Sequence, residues 1–403
     1  LTTSPRRAFA RTDDAGRLRA AAEDGPDRRT AVQAHWFDRV LRWRDRLVAS
    51  PRFQRWASSF PPTRRIARRN AGALFDLCAG FVYSQVLAAC VRLKLFDRLW
   101  DGPLTADVLA GQCDLPPDAM RRLLAAAEAL GLVAQRAGGR YGLAMLGAAL
   151  HGNPGIAAMV EHHAMLYADL RDPVALLRGE HERTELSRYW GYAANESPGG
   201  LDDSRVAGYT ALMSASQGLI ADDILSAYDF SRHRCLLDVG GGDGAFLIAA
   251  AARVPALRLK LFDLPAVAKC ASARFAASGL AGRAEIHSGS FLSDPLPAGA
   301  DLITLNRILL DHDDATVLAL LRAVRRAIPE DGVLLVAEIM SGIGGSRAVS
   351  DAYFGFYLLA MGRGRPRSLD EIRALLGQAG FVRIRPLATR RPLLTNLVAA
   401  RPG

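Results

Sequence analysis

The sequence predicts a chain in two parts: a mostly helical N-terminal part, then an α/β domain built on a largely parallel sheet of seven strands. Three observations carry this. The apolar run Cys235–Val239 leads into Gly240-Gly241-Gly242-Asp243-Gly244 and then into a helical stretch from Ala245 to about Ala252. Strand-like and helix-like segments alternate from there to the end, the pattern of a sheet covered by helices. Upstream of residue 232, helical periodicity dominates instead.

At 403 residues, half of them hydrophobic, the chain is long enough for two domains and a substantial core. Its five cysteines are widely spaced and form no C-x-x-C, which argues against a zinc site or a disulfide framework and fits a reducing cytoplasm. No apolar h-region opens the sequence, so no signal peptide is expected. The nearest approach to a span, Leu77–Val91, is broken by Ser84 and Gln85 and reads as a core or interface helix. The net charge of +10 is mostly arginine. It reads either as high-GC codon usage or as attraction to an anionic membrane surface or nucleic acid.

Residues 1–34 lack periodicity and are expected to form a poorly ordered tail. Residues 35–155 form the N-terminal domain. Over 35–70, Trp36, Phe37, Trp43, Trp56 and Phe60 alternate with arginines. Such a segment reads first as a helical arm on a partner subunit, second as a membrane-interface anchor, third as a nucleic-acid contact. A long helix is predicted over 71–100. Thr105 offers an N-cap to a helix over Ala106–Ala110, a second helix covers Ala119–Leu130, and a hairpin follows over 131–143. This is a helix-turn-helix with a β-wing. Its second helix carries Arg121 and Arg122 but is otherwise apolar, which suits a packed interface better than a DNA groove. Residues 156–232 read as a helical linker, with His162 and His163 on one helix and Met213 on another. Residues 233–403 form the α/β domain, whose last two strands are expected to pair antiparallel at the sheet edge.

The glycine turn after Cys235–Val239 is the first βα turn of a Rossmann-like nucleotide-cofactor fold, where glycines admit a close ligand and the helix offers free N–H groups. The strand Leu257–Phe262 ends at Asp263, a carboxylate that can accept both hydroxyls of a ribose. Dinucleotide loops read G-x-G-x-x-G, whereas Gly240, Gly242 and Gly244 read G-x-G-x-G, with Asp238 two residues earlier. S-adenosylmethionine carries an ammonium, a carboxylate and a sulfonium but no phosphate. Acidic residues beside the loop suit it better.

The segments Leu237–Gly244, Phe262-Asp263-Leu264-Pro265, Gly289-Ser290-Phe291, Asp311–Asp314, Val336-Ala337-Glu338 and Ala379-Gly380-Phe381 resemble the class I S-adenosylmethionine-dependent small-molecule O-methyltransferases. These have an N-terminal winged-helix dimerisation domain before the methyltransferase domain. Within that family, Phe75–Gln85, Arg188-Tyr189-Trp190, Asp351–Tyr357, Ala360–Arg365 and Thr389-Arg390-Arg391-Pro392 are most similar to the bacterial members that methylate hydroxylated acyclic carotenoids.

The resemblance implies a homodimer through the winged helix, with no nucleic acid bound, and an acceptor pocket to which the linker over 156–232 contributes. It implies that Gly240, Gly242 and Gly244 line the methionine part of the cofactor, that Asp263 holds the ribose, and that Ser290 and Phe291 meet the adenine. Arg307 is expected either to reach the methionine carboxylate or to cover a helix, and Met213 to lie near the sulfur or in a helix core. The acceptor implied is the C1 tertiary hydroxyl of an acyclic carotenoid. A bacteriochlorophyll precursor or aromatic polyketide on the same fold, and a winged-helix DNA-binding protein, remain the alternatives. The sequence departs from many relatives at Leu310, where they carry a histidine base, and at Pro366, where they carry an acid. Candidate proton acceptors are therefore Glu338, His312, His162 and His163. No metal is expected, because three consecutive positions of the acidic cluster at 311–314 cannot face one ion from a helix. The expected location is cytoplasmic, with peripheral contact to the photosynthetic membrane left open.

Overall fold

A computed structural model describes residues 28–180, 183–190, 217–345 and 347–403. The chain divides into two compact units, residues 1–84 and 85–403. Of the expected tail, residues 1–27 and hence most of the segment lie outside the described residues; residues 28–34 instead begin a helix.

The first unit holds α1 (Arg28–Ala49), α2 (Pro51–Ser59) and the start of α3 (Pro61–Arg92). Prolines set its breaks. Ser50 and Phe60 precede Pro51 and Pro61 and are extended, with ψ of 121° and 120°, because the proline ring excludes the helical region for the residue before it. Each proline then opens the next helix, where its missing N–H leaves no intrahelical bond unmade. The long helix thus begins ten residues earlier than its periodicity predicts. By length and composition alone α3 could cross a membrane.

In the second unit, α3 ends at Arg92 and Lys94 enters the left-handed region at φ 52° before α4 (Leu95–Arg98). Next come β1 (Leu104–Thr105), α5 (Ala106–Gln112), α6 (Pro117–Ala129), β2 (Val133–Arg136) and β3 (Arg140–Leu143). Thr105 caps α5 by accepting from the Val108 amide. The wing gains a third strand, in the order β1-β3-β2. Phe96, Leu109, Met120, Leu124 and Val133 form the core of this part. Arg121 is held by Asp107 and Asp118, both at 2.7 Å. The helices α7 (Met145–His151), α8 (Pro154–Asp169), α9 (Pro173–Leu177) and α10 (Glu185–Tyr189) follow. Buried Asp169 accepts from the Glu185 and Leu186 amides and so fixes the start of α10. α11 covers 217–227; Met213 lies outside the described residues.

The large sheet contains β4 (Cys235–Val239), β5 (Arg258–Asp263), β6 (Ala284–Ser288), β7 (Leu302–Asn306) and β8 (Val333–Glu338). A short parallel pair, β9 (Met340–Ser341) and β10 (Arg367–Ser368), stands apart, and β11 (Phe381–Leu387) and β12 (Asn396–Pro402) complete the large sheet. Its order is β11-β12-β8-β7-β4-β5-β6, parallel except that β12 runs antiparallel to both neighbours. The last two strands pair antiparallel as expected, with β11 outermost. The helices of this sheet are α12 (Ala245–Arg253), α13 (Pro265–Ala277), α14 (Asp314–Ala327), α15 (Gly355–Met361) and α16 (Leu369–Gln378), with a π-helix over Ala348–Phe354 leading into α15. β4, β7 and β8 are buried along their full length, which explains why they read as continuous apolar runs rather than alternating ones.

From β4 the chain proceeds outward through β5 and β6, then returns to β7 on the other side of β4. The crevice at the carboxyl ends of β4 and β7 is therefore the topological switch point, where open α/β sheets receive ligands.

Candidate active site

The glycine turn leaves β4 at this crevice. Gly240, Gly242 and Gly244 have φ of 69°, 61° and 82°, a region that side chains with a Cβ rarely occupy. Gly244 is also the N-cap of α12. The turn is tied to β5: the Gly240 amide donates to the Phe262 carbonyl at 2.8 Å, and the Gly242 amide donates to Asp263 Oδ2 at 2.8 Å. Asp263 Oδ1 accepts from the Leu264 amide at 2.7 Å. Asp243 pairs with Arg274.

Asp238, on β4, is 1 % exposed yet lines the cleft. Its Oδ1 accepts from the Thr304 hydroxyl at 2.6 Å and the Asn306 amide at 2.9 Å, both from β7. Its Oδ2, and Asn306 Oδ1, have no hydrogen-bond partner among the described residues. Burial pushes the Asp238 carboxyl up to about 7, with nearby Asp263 adding repulsion. Burial likewise lifts Asp263 to about 6. Two buried acceptors at the cleft wall without donors fit a ligand that brings a cationic donor group.

Arg307 follows β7 and also lines the cleft. Its backbone stands at φ 58°, and its amide donates to the Ala337 carbonyl at 2.8 Å. A non-glycine residue held there stores of order 1–2 kcal/mol of strain, a mark of functional sites. Glu338 Oε1 accepts from the Ile308 and Leu309 amides at 2.9 and 2.6 Å, so this buried carboxyl shapes the turn after β7. Burial raises it to about 8.

The opposite wall is aromatic and apolar, with Met159, Trp190, Leu310, Tyr353, Phe354 and Tyr357. Tyr357 Oη accepts from Trp190 Nε1 at 3.0 Å and lies 2.7 Å from His162 Nε2. The indole N–H only donates, so a His162 protonated on Nδ1, with Nε2 accepting the tyrosine proton, is the arrangement that leaves no polar hydrogen of this trio unpaired. Burial and neighbouring His163 push His162 down to about 4. Tyr353 Oη lies 2.7 Å from His163 Nε2, and burial lowers that histidine as well. Burial raises Tyr353 to about 12 and Tyr357 further.

The structure brings Asp238, Gly240, Gly242 and Arg307 to the cleft lining, with Asp263 one hydrogen bond behind the turn. None of the four expected proton acceptors lines it. Glu338 Oε1 is held by backbone amides, while its buried Oε2 has no hydrogen-bond partner among the described residues, and His162 and His163 stand behind tyrosines. His312 packs edge-on against Phe291 at 5.3 Å, where burial brings it to about 4. Its neighbours act as expected of a helix start: Asp313 caps α14 and Asp314 takes Arg365 and Arg367. Ser290 accepts from the Leu292 amide, and its own amide donates to Asp294. Sequence reasoning missed Asn306, Tyr353 and Tyr357 as cleft residues. The available signal was the end of β7, one strand from the glycine turn at the switch point, which points to Asn306.

A glycine turn without a phosphate pattern, buried acceptors beside it and a second-strand carboxylate at a switch-point crevice define an S-adenosylmethionine-dependent methyltransferase. The chain belongs to the O-methyltransferase family: the O-methyltransferase domain matches residues 167–382, and the O-methyltransferase dimerisation domain matches residues 75–153. The second match supports a homodimer. Over 359 residues the chain is 47 % identical to demethylspheroidene O-methyltransferase of Cereibacter sphaeroides, covering 89 % of this chain and 94 % of that one. It is 33 % identical to acetylserotonin O-methyltransferase of Mus musculus, covering 83 % and 89 %. Among solved structures, the methyltransferase CalO1 of calicheamicin biosynthesis with S-adenosylhomocysteine bound superposes with a TM-score of 0.71 at 26 % identity, covering 83 % of this chain and 98 % of that one.

Proposed function

We propose that this chain methylates the C1 tertiary hydroxyl of acyclic carotenoids of the 1-hydroxyneurosporene and demethylspheroidene type. The observation that carries the reading is the 47 % identity to a demethylspheroidene O-methyltransferase along 94 % of its length. Leu310 agrees with it. An apolar side chain at the usual histidine position cannot deprotonate a phenol in advance, and a tertiary alcohol is not deprotonated in advance.

When bound, S-adenosylmethionine supplies a methyl group on a sulfonium. In this reading Gly240 and Gly242 would admit its methionine part, with Gly244 starting the helix behind them, Asp238 and Asn306 would accept from its ammonium, and Arg307 would meet its carboxylate. Asp263 accepts from the ribose, and Ser290 and Phe291 border the adenine. The acceptor's place is the apolar wall. Methyl transfer by displacement needs alignment and dryness more than a strong base. The alcohol gives up its proton as its oxygen–carbon bond forms, and Tyr353 is the hydroxyl set to take part. It receives that proton while passing its own to His163 Nε2, which is neutral because burial lowers it. His162 acts only by orienting Tyr357, and Glu338 by shaping the turn. The functional division is residues 35–155 for dimerisation, 156–232 for the acceptor pocket and 233–403 for methyl transfer, in a cytoplasmic enzyme touching the photosynthetic membrane peripherally.

Purified protein with S-adenosylmethionine and 1-hydroxyneurosporene is expected to yield a product heavier by one CH₂. Failure with every hydroxylated carotenoid, together with methylation of phenols, refutes the acceptor assignment.

A further inference from the structure

Residues 28–69 hold twelve arginines and two acids, Asp38 and Asp45. Their net charge of +10 equals that of the whole chain. Taking 12 from 51 basic and 2 from 41 acidic residues leaves 39 of each, so the rest of the protein is formally neutral. All of the excess charge sits on one helical arm.

That arm is also apolar on its outside. Trp36, Phe37, Trp43, Trp56 and Phe60 are all exposed, Trp43 at 66 %. Three of the protein's five tryptophans are here. Phe53, Trp56 and Phe60 form a ladder of rings with centroids 5.6 and 5.0 Å apart. Among residues 36–84, Ala57 is the only one buried. Helices that bury so little of their apolar surface on themselves gain that burial from something outside them.

We infer that the arm over residues 28–69 is a docking surface for an anionic lipid bilayer. Two properties coincide on it. Arginines attract the acidic headgroups while tryptophan and phenylalanine rings enter the headgroup–acyl boundary. A second copy of the chain fits less well. Two arms facing each other would oppose like charges, and the match to the dimerisation domain begins only at residue 75. Nucleic acid would satisfy the arginines but offers little apolar depth to the rings. This inference rests on the arm alone and not on the acceptor assigned above.

The test uses the full chain with vesicles of phosphatidylcholine, alone or with about 30 % phosphatidylglycerol, read by co-sedimentation and tryptophan emission. Binding is expected to the anionic vesicles, with a blue-shifted emission, and to fall roughly tenfold or more when salt rises from ~0.1 to ~0.5 M. Combined Trp36→Ala, Trp43→Ala and Trp56→Ala should lower partitioning roughly tenfold or more. So should combined Arg39→Gln, Arg42→Gln and Arg46→Gln. Both variants should keep the wild-type affinity for S-adenosylmethionine, showing that the second unit remains folded. The inference is overturned by no binding to anionic vesicles. It is equally overturned by equal binding to neutral ones, or by tryptophan variants that bind vesicles normally. Conversion of the tryptophan variant from dimer to monomer with unchanged vesicle binding would assign the arm to a second copy. Tighter binding to a duplex than to anionic vesicles would assign it to nucleic acid.

Discussion

Replacing Gly244 with alanine separates backbone strain from steric conflict when Gly242→Ala is made beside it. Both glycines hold positive φ, at 82° and 61°. A Cβ at 242 meets nothing within 4 Å, whereas one at 244 would lie 2.4 Å from Cε1 and 2.5 Å from Cζ of Phe275. Phe275 cannot move aside easily, since it is 1 % exposed and packed in the core with Phe246 and Leu247. The strained conformation costs about 1–2 kcal/mol for either alanine. Forcing a methyl into a filled core adds about 1–3 kcal/mol at 244 only. Gly244→Ala should therefore lose about 2–5 kcal/mol and Gly242→Ala about 1–2 kcal/mol. For a body of this size the first is a fall of several degrees or more in melting temperature. Thermal unfolding by circular dichroism, without cofactor, measures both. Phe275→Leu should cost less in the Gly244→Ala background than in the wild type, because there it also removes the ring that the new methyl meets. Equal losses in the two alanine variants, or strictly additive losses from Gly244→Ala and Phe275→Leu, would refute the argument.

Other predictions concern charge and protons. Between pH 6.5 and 8, Asp238 and Glu338 stay protonated in the fold longer than in the unfolded chain, since burial lifts them to about 7 and 8. The folded protein then holds more protons, so its stability without cofactor should fall as pH rises through this window. His162 and His312, both lowered to about 4, act oppositely but only below about 6.5. A flat or rising melting temperature from pH 6.5 to 8 contradicts this, and Asp238→Asn with Glu338→Gln should flatten the slope. Tyr353→Phe should lower kcat roughly a hundredfold with little change in KM, measured by steady-state methyl transfer. An unchanged kcat removes Tyr353 and His163 from the proton's route. Arg391 donates to buried Asp223 from both its side chain, at 2.8 Å, and its amide. Arg391→Ala should destabilise by about 3–5 kcal/mol by stranding that carboxylate. Asp223→Asn added to it should restore part of the loss in denaturant unfolding, and no restoration rules out the buried charge as the cause.

Much of the α/β domain was legible in the sequence because its signals are short in range. Buried parallel strands announce themselves as apolar runs, so β4 appears with the bounds its residues suggest and β5 one residue later than Leu257–Phe262. The G-x-G-x-G turn and Asp263 were legible for the same reason, since a turn and a strand end are local. So was the Thr105 cap. What only the tertiary structure decided depends on strand order and on contacts between distant segments. The strand order β11-β12-β8-β7-β4-β5-β6 brings Asn306 beside Asp238, although 68 positions separate them. The pairing of His162 with Tyr357 spans 195 positions, and that of His163 with Tyr353 spans 190. No periodicity reports such distances. The sequence therefore determined that a methyl-donor turn exists and that its usual base is missing at Leu310. The packing of α8 near the π-helix and α15 decided that His162 and His163 stand behind tyrosines, because a side chain's neighbours across a core are set by how the elements dock.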